Sequence, residues 1–517
     1  MFRSPFPDVV VPDATIPQHV LGGAAARGDA PALIDGRTGQ TISYAQLAYQ
    51  VERLAAGLAE AGLRPGDVLA IFSPNTLLYP VVFHAALAAG ATVTTVNALA
   101  TPADLASQVN DSKARFLVTV SPFLDRVSAA QTDVTVFVCD EAEGYRSIRD
   151  LLASEAPAPV VDIDPATAVA ALPYSSGTTG VAKGVMLTHR NIVANVEQAQ
   201  VPISYSATDR VIAILPFFHI YGLTVLMNMV LARGGALVIL PRFDLTEFLS
   251  ALAEHKVTRA MVAPPVVLAL AKHPSVADYD LSALEVVFSG AAPLDGDLAA
   301  ACAARLGCAV QQGYGMTELS PVTHAQPYGS ERNKAGSIGP LLPNTEARVV
   351  DVATGADLGE GESGELLIRG PQVMLGYLGR PDETAATVDA DGWLHTGDLG
   401  MVDADGDWFI LDRVKELIKY KGYQVPPAEL EAVLLNHPSI ADAAVIAGHD
   451  ADGEEIPHAF VVASVPDLTS SEVMAYVAER VAPYKKVRAV TFVDAIPKSA
   501  SGKILRKDLR ATFSARS

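Results

Sequence analysis

Cysteine is scarce in this chain: Cys139, Cys302 and Cys308 are the only three among 517 residues. Their spacing fits no metal-ligand pattern, and so sparse and odd a set excludes a disulfide scaffold and fits a reducing compartment. Positive charge is also short, with 38 Lys and Arg against 58 Asp and Glu and a formal net charge of −20. That balance argues against DNA, RNA or anionic lipid as a main partner, since all three repel it at long range. It does not bar a small anionic ligand, because lysines, arginines and backbone amides can reverse the field inside a cleft. The N-terminal residues 1–20 lack the apolar run of a signal peptide. One stretch, 211–232, is uncharged between Arg210 and Arg233 and imitates a membrane span. It contains Pro216, His219, Gly222 and Asn228, however, whose polar groups lipid would leave unsatisfied at roughly several kcal/mol each. The stretch therefore reads as buried elements of a soluble, cytoplasmic protein with no membrane and no nucleic-acid partner, a monomer or weak homodimer.

Half of the residues are hydrophobic and 19% are charged, which with this length implies two or more domains and ample core. Residues 44–61 have helical periodicity ended by Gly62, 67–73 form a short apolar run, 78–90 read as a helix stopped by glycine, and 91–96 as a strand. The pattern recurs at 116–120, 134–139, 210–215 and 236–240. Helices alternating with apolar strands imply mostly parallel sheets covered on both faces. Past about residue 348 the style changes to antiparallel strands with Gly-Asp turns, and near residue 412 it changes again to a Lys- and Glu-rich segment followed by a small α+β module. The expected fold class is α/β. Residues 1–412 would form a large N-terminal domain of mostly parallel αβα layers with a β-rich subdomain, and 413–517 a small, mobile α+β C-terminal domain.

The strongest local signal is YSSGTTGVAKG at 174–184. Glycines let the backbone approach a ligand, and hydroxyls with amides can wrap phosphate oxygens. The glycines fall in the wrong places for the G-x-x-x-x-G-K-[ST] loop, so a Ras-like or kinase-like site is excluded. Further motifs follow in order: QGYGMTE at 312–318, GELLIRG at 364–370, WLHTGD at 393–398, DRVKELIKYKG at 412–422 and PKSASGK at 497–503. In this series the chain resembles the adenylate-forming enzymes: acyl-CoA synthetases, firefly luciferase and peptide-synthetase adenylation domains. The resemblance covers essentially the whole chain.

The resemblance implies a reaction in two halves. ATP and a small-molecule carboxylic acid give an acyl-adenylate and pyrophosphate, and the thiol of coenzyme A then displaces AMP. Bringing a carboxylate to a phosphate joins two anions, so catalysis is mainly positioning and electrostatics. Lys503 resembles the family's catalytic lysine, a flexible ammonium able to touch both anions. Thr317 would donate its hydroxyl to the α-phosphate, and Glu318 is similar to the glutamate that holds Mg2+. ATP or AMP would be bound by Ser175, Ser176, Gly177, Thr178, Thr179, Gly180 and Lys183 of the loop, by Ala291, Gln312, Gly313 and Tyr314, by Asp398 as acceptor for the ribose hydroxyls, and by Arg413 and Lys419. Lys415 matches a hinge about which the small domain turns between the half-reactions. Arg242, Lys421 and Gly422 would then meet CoA.

Peptide-synthetase adenylation domains carry an Asp near LPFFHIYG (215–222); its absence here argues against an α-amino acid. No carrier-protein module follows residue 517, which favours free CoA as acceptor. FFHIYGL, VAPPVVLALAK (262–272), SGAAPL (289–294) and IKYKGYQV (418–425) most resemble 4-coumarate-CoA ligases. That likeness implies an acid pocket of His219, Tyr221, Thr224, Gly290, Gly313, Gly315, Pro321 and Val322. In it the glycines would leave room for a flat ring, Tyr221 would stack on the ring or cap it, and Pro321 and Val322 would limit its substituents. The chain departs from the plant enzymes at Thr224, where Asn is common, at Phe288, where Lys is frequent, and at Val181-Ala182, where a proline usually stands. The expected acid is 4-coumarate or a related hydroxycinnamate. A medium-chain fatty-acyl-CoA synthetase is the alternative, and a luciferase-like adenylating monooxygenase stands behind it.

Overall fold

A computed structural model of the chain describes residues 1–175, 182–421, 423–450, 454–499 and 502–514. Two eight-stranded sheets form its bulk. In the first, Thr92–Thr95, Val68–Phe72, Ala114–Thr119, Thr135–Val138 and Arg146–Ser147 run parallel beside Val169–Ser175. Lys183–Thr188 and then Gly376–Tyr377 add antiparallel strands at its edge. The second sheet is parallel from Pro31–Asp35 through Ala236–Ile239, Arg210–Ala213, Arg259–Val262 and Val286–Ser289 to Ala309–Gly315. Only its outermost strands, Thr41–Ser43 and Val322–Ala325, are antiparallel.

The inner strands are apolar because both faces are covered: every residue of Ala236–Ile239, Arg259–Val262 and Val286–Ser289 is buried. The helices between them start where the chain offers a cap. Ser43 with Gln46 opens Tyr44–Glu60, and Thr188 with Asn191 opens His189–Ile203, each as a reciprocal capping box. A third, five-stranded antiparallel sheet comprises Phe2–Arg3, Glu346–Val350, Gly364–Arg369, Leu394–Val402 and Trp408–Arg413, where the antiparallel style was expected. Beyond it the hairpin of Ile418–Tyr420 and Tyr423–Val425 and the three strands Ile440–His449, Glu455–Ala463 and Ala489–Phe492 share an apolar core of their own with Pro427–Leu435 and Ser470–Ala478.

The span-like stretch 211–232 resolves into the strand Arg210–Ala213, a widened π-helix Tyr221–Asn228 and the helix Met229–Arg233. No helix among the described residues is long and apolar enough to cross a membrane. Most of the polar groups of the stretch are satisfied by protein, although the Thr224 hydroxyl and the Asn228 side-chain carbonyl have no partner among the described residues. Asn75 donates to the carbonyls of Ala213 and Leu215 and accepts from the Phe217 amide, and Asn228 donates to the Leu223 carbonyl. Cys139, Cys302 and Cys308 are free thiols. Burial pushes the first two up to about 12 and the third to about 11, which leaves them inert.

Candidate active site

Parallel strands present their carboxyl ends to one crevice, the usual place for a ligand in such sheets. Here the strands Val286–Ser289 and Ala309–Gly315 end on a cavity of about 150 Å³. Its walls are Ile220, Tyr221, Val225, Phe288, Gly290, Ala291, Gly313, Tyr314, Gly315, Met316, Pro321 and Val322, and its mouth carries His219, Thr317, Arg413 and Lys503. An apolar cavity of about this volume admits a benzene ring.

The π-helix sets part of the wall. Such widened turns cluster at functional sites, and this one brings Tyr221 and Val225 to the cavity while Thr224 is not among the lining residues. Thr224 is fully buried, and its hydroxyl has no partner among the described residues. This corrects its expected place in the acid pocket. The glycines also act differently from expectation. A Cβ on Gly290 would lie 2.7 Å from the Tyr221 ring, one on Gly313 2.8 Å from both the Phe288 ring and the His324 carbonyl, and one on Gly315 2.1 Å from the Pro321 carbonyl. They line the cavity, but the room they leave is taken by its own walls. Asn195 fixes the far side: its amide donates to the Val322 carbonyl and its carbonyl accepts the Val322 amide. It lies outside the motifs and was not singled out from the sequence.

Behind Arg413 and Tyr314, Asp398 is 4% exposed. Its Oδ2 accepts the Tyr314 hydroxyl at 2.6 Å, and its Oδ1 lies 3.2 Å from Nε of Arg413. Burial, then the Asp398 charge, raises the Tyr314 phenol well above its ordinary value, so it stays a donor. Arg413 and Asp398 are register partners on neighbouring strands, which is why residues 15 apart in sequence meet. Lys503 sits on a tight turn closed by Gly502 N–H to the Ser499 carbonyl and Ser499 N–H to the Lys503 carbonyl. Gly502 has φ +84°, and a Cβ there would come 3.1 Å from Cβ of Ala263, so the turn lies against the start of the helix Pro264–Lys272. Lys503 is exposed as a residue because the cavity it enters is open, yet its ammonium is crowded. Burial there, and next the positive Arg413, lower its pKa to about 8. Burial lowers the His219 imidazole to about 4, and the positive charge of Lys503 adds to this, so the ring stays neutral.

Glu318, in the turn Thr317–Leu319, is 3% exposed. Its Oε1 accepts the Tyr377 hydroxyl at 2.9 Å, while Oε2 has no partner among the described residues. One buried carboxylate with a free oxygen suits Mg2+ that arrives on nucleotide phosphates and keeps several waters. No group of three or more His, Cys, Asp or Glu among the described residues could form an all-protein metal cage. Lys183 begins the strand Lys183–Thr188, its ammonium 4.7 Å from the centre of the Tyr377 ring. Ala291 holds a left-handed φ of +73° on the cavity wall. Gln312 is turned away from the cavity: its side-chain oxygen accepts the Leu294 amide and so braces the loop that carries Ala291.

Ser175 ends the strand Val169–Ser175. Ser176, Gly177, Thr178, Thr179, Gly180 and Gly422 lie outside the described residues. Arg242, Lys415, Lys419 and Lys421 are exposed and do not line the cavity. Lys419 donates its backbone amide to Glu455, and Lys421 stands in the left-handed region at φ 48° beside the Tyr420 ring.

Residues 22–378 match the family described as AMP-binding enzyme, and residues 429–503 match the AMP-binding enzyme C-terminal domain. The chain is 44% identical to a 4-coumarate–CoA ligase of Pinus taeda, covering 100% of this chain and 98% of the relative. It is 45% identical to 4-coumarate–CoA ligase-like 9 of Oryza sativa subsp. japonica, covering 99% and 95%. Among solved structures, ATP-bound MatB from Rhodopseudomonas palustris superposes with a TM-score of 0.87 at 31% identity over 97% of this chain and 99% of that one.

Proposed function

The chain belongs to the AMP-binding enzymes, and from that premise we propose that it is an ATP-dependent, AMP-forming acid–CoA ligase whose acid is 4-coumarate or a related hydroxycinnamate. One observation carries the reading: a ring-sized apolar cavity, flanked by the Tyr221 and Phe288 rings, opens on a mouth where Lys503, Arg413 and Thr317 gather. An acid seated with its ring inside presents its carboxylate at that mouth.

In the first half-reaction a carboxylate oxygen bonds to the α-phosphorus of ATP, and the bond to the bridging oxygen breaks with its electron pair leaving on pyrophosphate. Lys503 holds the two anions together, and Thr317 donates its hydroxyl to the α-phosphate. Asp398 accepts the ribose hydroxyls, steadied by Tyr314 and Arg413. The Ser175–Lys183 loop cradles the phosphates. Glu318 would hold Mg2+, whose charge offsets that of the departing pyrophosphate. In the second half-reaction the CoA sulfur bonds to the acyl carbon, the thiol proton is released, and AMP leaves.

For that step residues 413–517 would turn about Lys415, taking Lys503 out and bringing Lys419, Lys421 and Gly422 towards the mouth, with Arg242 as a further contact for CoA phosphates. The separate apolar core of this part supports its moving as a unit. A cytoplasmic monomer or weak homodimer completes the proposal.

CoA-dependent turnover of 4-coumarate against octanoate tests the choice of acid. Preference for 4-coumarate in kcat/KM is expected. Preference for octanoate by more than about tenfold, roughly 1.4 kcal/mol of transition-state binding, would sink the ring-slot reading in favour of a medium-chain synthetase.

A further inference from the structure

Tyr377 belongs to none of the roles assigned above, yet it touches two of their holders. It lies on the two-residue strand Gly376–Tyr377, antiparallel to Lys183–Thr188 with Tyr377 opposite Val185. The segment around it is stitched to both neighbours through the backbone. The Leu375 and Leu378 amides donate to the carbonyls of Met186 and Gly184, and the Met374 amide donates to the carbonyl of Glu318. Its own amide donates to Thr384 Oγ1 at 2.9 Å, and a Cβ on Gly376 would meet the Thr384 side chain at 2.8 Å, so the preceding residue must be small. Tyr377 is therefore held rigidly, 7% exposed, between the phosphate-loop lysine and the buried glutamate.

The two halves of the side chain treat the two charges differently. The hydroxyl donates to Oε1 of Glu318 at 2.9 Å and leaves Oε2 without a partner among the described residues. The ring face carries the Lys183 ammonium at 4.7 Å, a distance at which the ring quadrupole attracts a cation. Lys183 and Glu318 consequently do not close into an ion pair with each other. Such a pair would cancel both charges where ATP needs them apart, the ammonium for phosphate oxygens and the carboxylate for the cation that rides on them.

We propose that Tyr377 is a positioning residue for adenylation: it occupies one oxygen of Glu318, holds Lys183 on its ring face, and so keeps the two charges separate and aimed at magnesium-bound ATP. The proposal rests on the acid–CoA ligase reading and on the roles given there to Lys183 and Glu318. The ring and the hydroxyl act on different partners, so they can be removed one at a time.

Tyr377→Phe keeps the ring and loses the hydroxyl. Titration calorimetry of ATP should show about tenfold weaker binding with Mg2+ present and unchanged binding in EDTA. Tyr377→Leu loses both and should weaken ATP binding in both conditions. Thioester formation from supplied acyl-AMP and CoA should stay within about twofold of wild type for both variants. In a Glu318→Gln background Tyr377→Phe should add nothing, since the oxygen it serves no longer carries the charge.

Three results would overturn the proposal: equal loss of ATP affinity with and without Mg2+ in Tyr377→Phe, full additivity with Glu318→Gln, or parallel loss of both half-reactions with a lowered melting temperature, which marks a merely structural tyrosine. A wild-type enzyme that forms no acyl-AMP would instead defeat the underlying ligase reading.

Discussion

The pKa of Lys503, lowered to about 8 by burial of its ammonium and next by Arg413, makes adenylation sensitive to alkali in a specific way. The charged form is the working form, because it must hold a carboxylate and a phosphate together. With a pKa near 8, about nine-tenths of the free enzyme carries the charge at pH 7 and about one-tenth at pH 9. The kcat/KM of acid-dependent ATP–pyrophosphate exchange reports ionisations of the free enzyme. It should be level up to about pH 8 and fall about tenfold per unit above it. Lys503→Arg replaces the ammonium by a guanidinium that stays charged far beyond this range. Its absolute rate should drop, since a planar fork fits two converging anions poorly, but its alkaline limb should vanish. Lys503→Ala should cost roughly 10²–10³-fold or more in exchange, as for loss of a preorganised electrostatic group. Thioester formation from supplied acyl-AMP should not share the alkaline fall, because the CoA thiol becomes more nucleophilic as it ionises. An alkaline limb that persists unchanged in Lys503→Arg, or that appears equally in the thioester step, would refute the assignment of this pKa to a charge used in adenylation.

Gly502→Ala places a Cβ at φ +84°, 3.1 Å from Ala263. About 1–2 kcal/mol of left-handed strain should slow pyrophosphate exchange roughly fivefold to thirtyfold, while thioester formation from acyl-AMP is spared; equal loss in both steps would contradict the docking role of this turn. Asp398→Asn removes the negative charge that faces Arg413 and one of the two oxygens proposed to accept the ribose hydroxyls, so ATP affinity measured by calorimetry should fall roughly tenfold to a hundredfold, and unchanged affinity would disprove that role. His84 is fully buried with neither ring nitrogen partnered among the described residues, and burial lowers it to about 3. Between that value and the unfolded value near 6.5 the unfolded chain binds the extra proton, so stability is lost as pH falls through this window, by up to about 1.4 kcal/mol per unit for each such histidine. Urea unfolding below pH 6 should therefore show a shallower acid slope in His84→Leu than in wild type, and an identical slope would count against a neutral buried His84.

Much of the fold is legible from hydrophobic period. The helix expected over 44–61 is Tyr44–Glu60, and the strand expected over 67–73 is Val68–Phe72, because apolar runs and caps act locally. Sheet edges are less so. Thr41–Ser43, Val322–Ala325 and Gly376–Tyr377 are antiparallel additions whose pairing depends on what lies beside them, not on their own composition. At the site, the motifs point to Lys503, Thr317 and Arg413, and these converge. They miss Tyr377, which sits in a two-residue strand 59 positions from the glutamate it serves. They also misplace Thr224, because a sequence does not announce a π-turn, and in this one Val225 faces the cavity instead. The likeness to 4-coumarate-CoA ligases implies open room for a ring at Gly290, Gly313 and Gly315, yet only the packing reveals that the Tyr221 and Phe288 rings and the backbone at Pro321 take that room.

The central claim is that one active site makes an acyl-adenylate and passes the acyl group to CoA. Mass spectrometry of a reaction with 4-coumarate, ATP, Mg2+ and CoA tests it most directly. The account predicts one AMP and one pyrophosphate for each 4-coumaroyl-CoA formed, and acyl-AMP accumulation only when CoA is withheld. Acyl-AMP released with CoA present and no thioester formed, or ADP in place of AMP, would contradict it.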